Sequence, residues 1–265
     1  MGKYFGTDGF RGEANVNLTV DHAFKVGRYL GYYYGKDHRA RIVIGKDTRR
    51  SSYMFEYALC TGLMASGADA YIMHVTTTPS VSYIARVDDF DCGIMISASH
   101  NPFYDNGIKI VNNNGEKMDE ETLLEIEKYI DGELEVPLAR REDIGRTVDY
   151  VAGRNRYIGY LISLSRFSFK DVKVGLDVAN GAAWSIAKGV YDALGAKTYV
   201  LTQNREVTVK TVKLHTRKAY LSVDGNSVYD LKSEDILRVR RSGHCIYLVD
   251  FAERSFFETV AEKLQ

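Results

Sequence analysis

Residues 93–96, Gly-Ile-Met-Ile, form an apolar run that breaks abruptly into Ser97-Ala98-Ser99-His100-Asn101-Pro102. A run this short and this apolar fits a strand buried on both faces, which requires helices above and below a sheet. The loop after it holds two hydroxyls, a histidine and a proline, and closes with Asp105-Asn106-Gly107-Ile108-Lys109. Small residues at the end of such a strand present a side chain at the mouth of a pocket. The chain is thereby constrained to a layered sheet with its chemistry at one rim.

The rest of the chain repeats this punctuation. Val20, Ala23, Phe24, Val26, Gly27, Leu30 and Gly31 recur at helical spacing after Asp21, so residues 20–36 read as a helix. Residues 41–45 read as a buried parallel strand, 52–66 as a helix ending at Ser66-Gly67, and 68–75 as the next strand. Pro79-Ser80 opens a short helix to Arg86, 91–96 and 108–111 are strands, and 119–130 is a Glu-rich helix. The alternation predicts an α/β fold, three layers of α/β/α with a mostly parallel sheet. Residues 148–165 are again helical in pattern. A strand over 172–178, a turn at Asn180-Gly181-Ala182-Ala183 into a helix to Leu194, and a strand over 196–201 make one βαβ unit, the start of a second α/β domain. Beyond about residue 202 the texture changes to broken alternation at Val207, Val209, Val212 and Leu214. Short runs follow over 219–223, 236–239 and 245–249, with Asp224-Gly225 and Ser242-Gly243 as turn signals, so this part reads as antiparallel β. Residues 256–264 read as a closing helix. Three segments result: 1–150, 151–203 and a β-rich tail over 204–265.

Composition narrows the partners. The 265 residues carry 35 Lys+Arg against 35 Asp+Glu, which leaves no global field for nucleic acid or an anionic membrane. No apolar run approaches the ~20 residues of a membrane span. Met1-Gly2-Lys3-Tyr4-Phe5 lacks an apolar leader and reads as a mature cytoplasmic start. Cys60, Cys92 and Cys245 are scattered, with no CxxC pair, and read as buried free thiols of a reducing compartment.

Three motifs carry chemistry. In Gly6-Thr7-Asp8-Gly9-Phe10-Arg11-Gly12, glycines beside a polar pair let backbone N–H groups approach an anion, and Arg11 can fork onto phosphate oxygens. The same residues also suit a plain turn with a surface arginine. Gly45-Lys46-Asp47-Thr48-Arg49-Arg50-Ser51-Ser52 joins a strand to a helix, a place that favours phosphate. Its bland reading is an N-cap by Asp47, Thr48 or Ser51 among solvated charges. In the third motif Ser99 is the exposed hydroxyl, with His100 and Lys109 as candidate proton-handling or phosphate-contacting groups. Asp105-Asn106-Gly107 reads equally as a turn.

Together these motifs resemble the α-D-phosphohexomutases, with the bacterial glucosamine-phosphate branch nearest, over about residues 3–201. Thr76-Thr77-Thr78-Pro79-Ser80 and Leu176-Asp177-Val178-Ala179-Asn180-Gly181 are similar to that family as well. The resemblance implies a mutase interconverting glucosamine 6-phosphate and glucosamine 1-phosphate through a phosphoserine and a bisphosphate intermediate. It implies Ser99 as the phosphate carrier, with Ser97 accessory, and Arg11, Lys109 and His100 as catalytic neighbours. Thr7, Asp8, Gly9, Lys46 and Arg49 are then expected to bind substrate, and Mg²⁺ to sit on Ser99 through its phosphate.

The family's Asp-Gly-Asp-x-Asp-Arg metal loop, Gly-Glu-x-Ser-Gly sugar loop and distal phosphate site have no counterpart in the sequence; Asp224-Gly225-Asn226 lacks the paired carboxylates. The expectation is a truncated, impaired mutase. Its alternatives are a non-catalytic fragment with a phosphorylatable serine and a protein defined by its tail. That tail, over about 206–265, resembles the C-terminal end of NAD kinase at Ala219-Tyr220-Leu221-Ser222-Val223-Asp224-Gly225 and Asp230-Leu231-Lys232-Ser233-Glu234-Asp235. It resembles it again at Arg238-Val239-Arg240-Arg241-Ser242 and Arg254-Ser255-Phe256-Phe257-Glu258. A second domain holding only its first βαβ unit would expose an edge and apolar faces, so marginal stability or self-association is expected.

Overall fold

In the computed structural model, seven strands form one sheet: β1 (Phe5–Gly6), β2 (Gly9–Glu13), β3 (Arg41–Lys46), β4 (Asp69–Val75), β5 (Cys92–Ile96), β6 (Asp105–Asn112) and β7 (Thr147–Asp149). Their order across the sheet is β1-β2-β6-β5-β3-β4-β7. The structure describes residues 2–178, 180–201, 207–210, 219–223, 226–232, 234 and 236–239. The chain divides into two compact units, Met1–Thr202 and Gln203–Gln265.

The sheet is mixed rather than mostly parallel. β3 runs parallel to β4 and β5, and β4 to β7, whereas β5–β6, β6–β2 and β2–β1 are antiparallel. Only residues 97–104 join β5 to β6. A parallel crossover needs about a dozen residues, so β6 has to return antiparallel. The Gly6–Gly12 motif, read above as a turn, forms the β1–β2 hairpin. Gly9 turns it at φ +92°, where an added Cβ would lie 2.5 Å from the Ile108 carbonyl oxygen. β7 is too short, at 3 residues, to show a strand pattern in sequence.

The apolar runs are buried on both faces because helices cover both. Ile42 and Ile44 of β3, with Ile94 and Ile96 of β5, face α1 (Val20–Tyr34), α2 (Arg50–Ala65) and α4 (Glu120–Ile130) in the larger core. Val43 and Met95 face the opposite way, against Val81, Ile84 and Ala85 of α3 (Thr78–Val87). These layers are the α/β/α arrangement expected from the alternation. Glu127 of α4 is buried, and its carboxylate accepts the backbone N–H groups of Lys3 (2.7 Å), Tyr4 (2.8 Å) and Phe5 (2.7 Å). That clamp fixes the segment leading into the β1–β2 hairpin. Cys60 and Cys92 are free and buried, and burial pushes the Cys60 thiol up to about 12.

The first unit continues past residue 150 into α5 (Val151–Ser163), which lies against α3 through Tyr160 stacked on Tyr83 at 4.3 Å. Asp88 at the end of α3 accepts the Tyr150 hydroxyl at 2.6 Å and pairs with Arg156. β8 (Lys173–Asp177), α6 (Trp184–Ala193) and β9 (Lys197–Leu201) then form the expected βαβ unit, with β8 and β9 parallel. It leaves Phe167, Trp184 and Tyr199 exposed.

In the second unit, β10 (Val207–Lys210) pairs antiparallel with β13 (Ile236–Val239), and β11 (Ala219–Val223) with β12 (Asn226–Leu231). The antiparallel reading holds there, with β12 unanticipated. Val212, Leu214, Asp224-Gly225, Ser242-Gly243, Cys245, the 245–249 strand, the 256–264 helix and the junction over 202–206 lie outside the described residues. No helix of the described residues is long and apolar enough to cross a membrane.

The α1–α2 crossing is a close backbone contact. A Cβ on Gly62 would sit 2.2 Å from the Phe24 carbonyl oxygen. Alanine adds helix propensity of about 1 kcal/mol, but overpacking against backbone costs about 1–3 kcal/mol, so the clash wins. Gly62→Ala is expected to lower the melting temperature by about 3–6 °C. An unchanged or higher melting temperature would show that the two helices can move apart freely.

Candidate active site around Ser99

The Ser97–Asn101 loop leaves β5 at the edge where β3 and β4 also end. Sheet pairing extends past both strands, with Asp47 N–H donating to Ile96 O (2.9 Å) and Ser97 N–H to Gly107 O (2.9 Å). Ser97 and Ala98 are buried, and the chain then surfaces, so Ser99 and His100 are exposed. Ser97 Oγ accepts the Ser99 N–H at 3.0 Å. Ser99 is left-handed at φ +56°, a conformation costing a non-glycine residue roughly 1 kcal/mol or more. Its Oγ makes a long contact, 3.4 Å, with His100 Nδ1.

Arg49 maintains that loop. Its Nη2 donates to the carbonyls of Ser99 (3.0 Å) and Asn101 (2.8 Å), and its Nη1 to those of Pro102 and Asp105, the latter at 3.1 Å. Nε is held by Asp47 Oδ2 at 2.9 Å. Asp47 Oδ1 accepts the Arg49 N–H (3.0 Å) and the Ser52 hydroxyl (2.6 Å). Behind them, fully buried Asn106 donates to Ser51 Oγ (2.8 Å) and Ser52 Oγ (2.9 Å), and its Oδ1 accepts the Gly107 N–H (2.8 Å). Asn101 Nδ2 reaches Asp105 Oδ2 at 2.9 Å. The strand–helix junction after β3 is therefore the mount of the loop after β5.

Two expected substrate contacts are otherwise engaged. Arg49 turns both Nη atoms toward carbonyls of the loop and its Nε toward Asp47. Lys46 is buried, paired with Glu56 of α2, and lies 4.3 Å from the Tyr53 ring centre. Its place on β3 aims it into the α2 layer rather than at the rim. Of the N-cap candidates, none caps α2: the cap residue is Arg49, without a side-chain bond, and Asp47 accepts from it instead.

The remaining candidates converge on the other side of the loop. Arg11 of β2 pairs with Gly107 of β6, and Lys109 lies two residues further, so both project from one face of the sheet. Arg11 Nη1 reaches Asn101 Oδ1 of the loop at 3.4 Å. Asp8, in the hairpin turn between exposed Thr7 and Gly9, lies 3.3 Å from Arg11 Nη2 and 3.4 Å from Lys109 Nζ. Arg11 Nε is buried with no hydrogen-bond partner. An exposed hydroxyl on a loop that Arg11 touches, with Lys109 on the same sheet face, suits a transferable anion such as a phosphoryl group.

The carboxylates bordering the loop are each engaged: Asp8 with the two cations, Asp47 with Arg49 and Ser52, and Asp105 with Asn101. Among the described residues no group of three or more His, Cys, Asp or Glu side chains could hold a metal ion. A hard divalent cation asks for several oxygen ligands, and this donor set does not fit Mg²⁺.

Residues 2–136, half of the chain, match the family described as phosphoglucomutase/phosphomannomutase, alpha/beta/alpha domain I. The chain belongs to this family. It is 75% identical over 205 residues to the phosphoglucosamine mutase of Lachnospira eligens, covering 76% of this chain and 46% of the relative. It is 40% identical over 256 residues to that of Clostridioides difficile, covering 93% of this chain and 57% of the relative. A phosphoglucomutase/phosphomannomutase family protein from Burkholderia thailandensis shares the fold at TM-score 0.63 and 23% identity, over 75% of this chain and 43% of that one. The chain spans about half the length of the curated relatives it matches.

Within this family frame Asn106 is the buried contact between the loop and its mount, and sequence showed it only as part of a turn. Asn106→Ala removes the donor to two serine oxygens and the acceptor of a buried N–H. The loss is expected to be about 2–4 kcal/mol of unfolding free energy, read from the midpoint of urea denaturation. An unchanged midpoint would mean that the three bonds are replaced at no cost.

Proposed function

We propose that this chain carries the phosphoserine side of a phosphoglucosamine mutase, moving a phosphoryl group between Ser99 and a hexosamine phosphate. The observation that carries the reading is the exposed Ser99 hydroxyl, held left-handed by Arg49, with Arg11 and Lys109 on the adjoining sheet face. The names of the relatives support glucosamine phosphate as the substrate.

In the forward half-reaction the Ser99 Oγ–P bond breaks as a P–O bond forms to a hydroxyl of glucosamine 6-phosphate, giving the 1,6-bisphosphate. The sugar hydroxyl loses its proton and Ser99 Oγ ends with one. Lys109 and His100 are the groups suited to carry that proton, His100 from beside Ser99 Oγ at 3.4 Å. Arg11 and Lys109 offset the charge on the phosphoryl oxygens as it moves. The second half-reaction returns the 6-phosphoryl group to Ser99 and releases glucosamine 1-phosphate. Thr7 and Gly9, at the tip of the hairpin, are placed by this reading against the sugar phosphate.

A second reading is a phosphorylatable serine without turnover, supported by the carboxylates bordering the loop, each of which is already engaged by protein partners. We also propose three segments, 1–150, 151–203 and 204–265, with self-association through the exposed Phe167, Trp184 and Tyr199 of the second. The likeness of the tail to the NAD kinase C-terminus is retained as a proposal for its origin. The match to the Clostridioides difficile relative, over 93% of the chain, itself runs into that tail.

Incubation with glucosamine 1,6-bisphosphate, followed by peptide mass spectrometry, is expected to place one phosphate on Ser99. Ser99→Ala should abolish it, and Ser97→Ala should slow it about tenfold without abolishing it, through loss of one turn-forming bond. Phosphate on Ser97 or on neither residue would overturn the carrier assignment. Interconversion of the two glucosamine monophosphates by the same sample would decide for turnover over the second reading.

A further inference from the structure

Asp8 stands where its neighbours would meet a phosphate. Its carboxylate lies 3.3 Å from Arg11 Nη2 and 3.4 Å from Lys109 Nζ, one oxygen to each cation. Its side chain is 60% exposed, against 19% for Arg11 and 23% for Lys109, so the anion lies on the solvent side of two half-buried cations. Any anion that reaches this pair has to replace it. Asp8 is also mounted to yield, because it sits in a two-residue hairpin tip beside Gly9, at φ +92°.

We propose that Asp8 is a built-in competitor that neutralises the Arg11–Lys109 pair while Ser99 carries no phosphate, and releases the pair to the phosphoryl group. This rests on the reading of Ser99 as the phosphate carrier and adds a regulatory role to its site. Exposed ion pairs are individually weak and are lost at little cost. A phosphoryl group offers more charge and three acceptor oxygens, which Arg11 can grip through two nitrogens at once. The exchange therefore runs toward phosphate, and Asp8 keeps the two cations from binding other anions strongly in between. Asp8 is then a positioning residue for the cations rather than a contact for substrate.

The test is titration of the full, unphosphorylated chain with inorganic phosphate, followed by calorimetry. Asp8→Asn is expected to bind phosphate about 3- to 10-fold more tightly than the natural chain, and Asp8→Glu to restore the weaker binding. Arg11→Ala and Lys109→Ala should each weaken it. Structural damage does not tighten a site, so a gain of affinity separates this role from a scaffolding one. Equal or weaker binding by Asp8→Asn, no binding by any variant, or binding that survives loss of both cations would overturn the proposal. Failure of the bisphosphate to label Ser99 would sink the carrier reading but leave this titration interpretable.

Discussion

The guanidinium of Arg49 is the interaction on which the site depends. Four carbonyls between Ser99 and Asp105 point at one side chain, and Asp47 holds that side chain from behind. Without such a donor, a loop carrying a left-handed serine would have several unpaired carbonyls and a backbone strain to relieve. The fork geometry of arginine serves several acceptors at once from one rigid plane. Everything upstream supports that plane: β3 delivers Asp47 to the rim, Ser52 in the first turn of α2 fixes its other oxygen, and buried Asn106 ties Ser51 and Ser52 to β6.

The central sheet and its helices were legible because burial on both faces leaves apolar runs that nothing else explains. Ile42-Val43-Ile44 and Ile94-Met95-Ile96 alternate between two cores, so neither shows the polar–apolar alternation of a one-sided strand. What sequence could not show is pairing direction. The antiparallel half of the sheet follows from the shortness of the 97–104 connection, and the Gly6–Gly12 motif became a hairpin only once β6 was there to pair with it.

Of the site, Ser99, His100, Arg11 and Lys109 were legible from motif and resemblance: the first two are exposed on the loop, and the half-buried cations lie on the adjoining sheet face. Lys46 and Arg49 were read by charge, and charge does not reveal whether a cation faces solvent or protein. Lys46 lies under α2 with Glu56, and Arg49, expected to bind substrate, donates to carbonyls of the Ser99 loop. Asn106 looked like one letter of a turn because its role depends on two serines 54 and 55 residues away. The chain thus gathers these side chains at one rim of a fold shared with the phosphoglucomutase/phosphomannomutase family.

Amide hydrogen exchange across residues 97–107, compared between the natural chain and Arg49→Lys, measures how much of the loop's order the Arg49 guanidinium supplies. Lysine keeps the charge but cannot span four carbonyls. Exchange at Ser99, Asn101 and Asp105 is expected to be about 10- to 100-fold faster in Arg49→Lys, with the β3 and β5 amides unchanged. Equal protection of the loop in both proteins would contradict the dependence of the loop on Arg49.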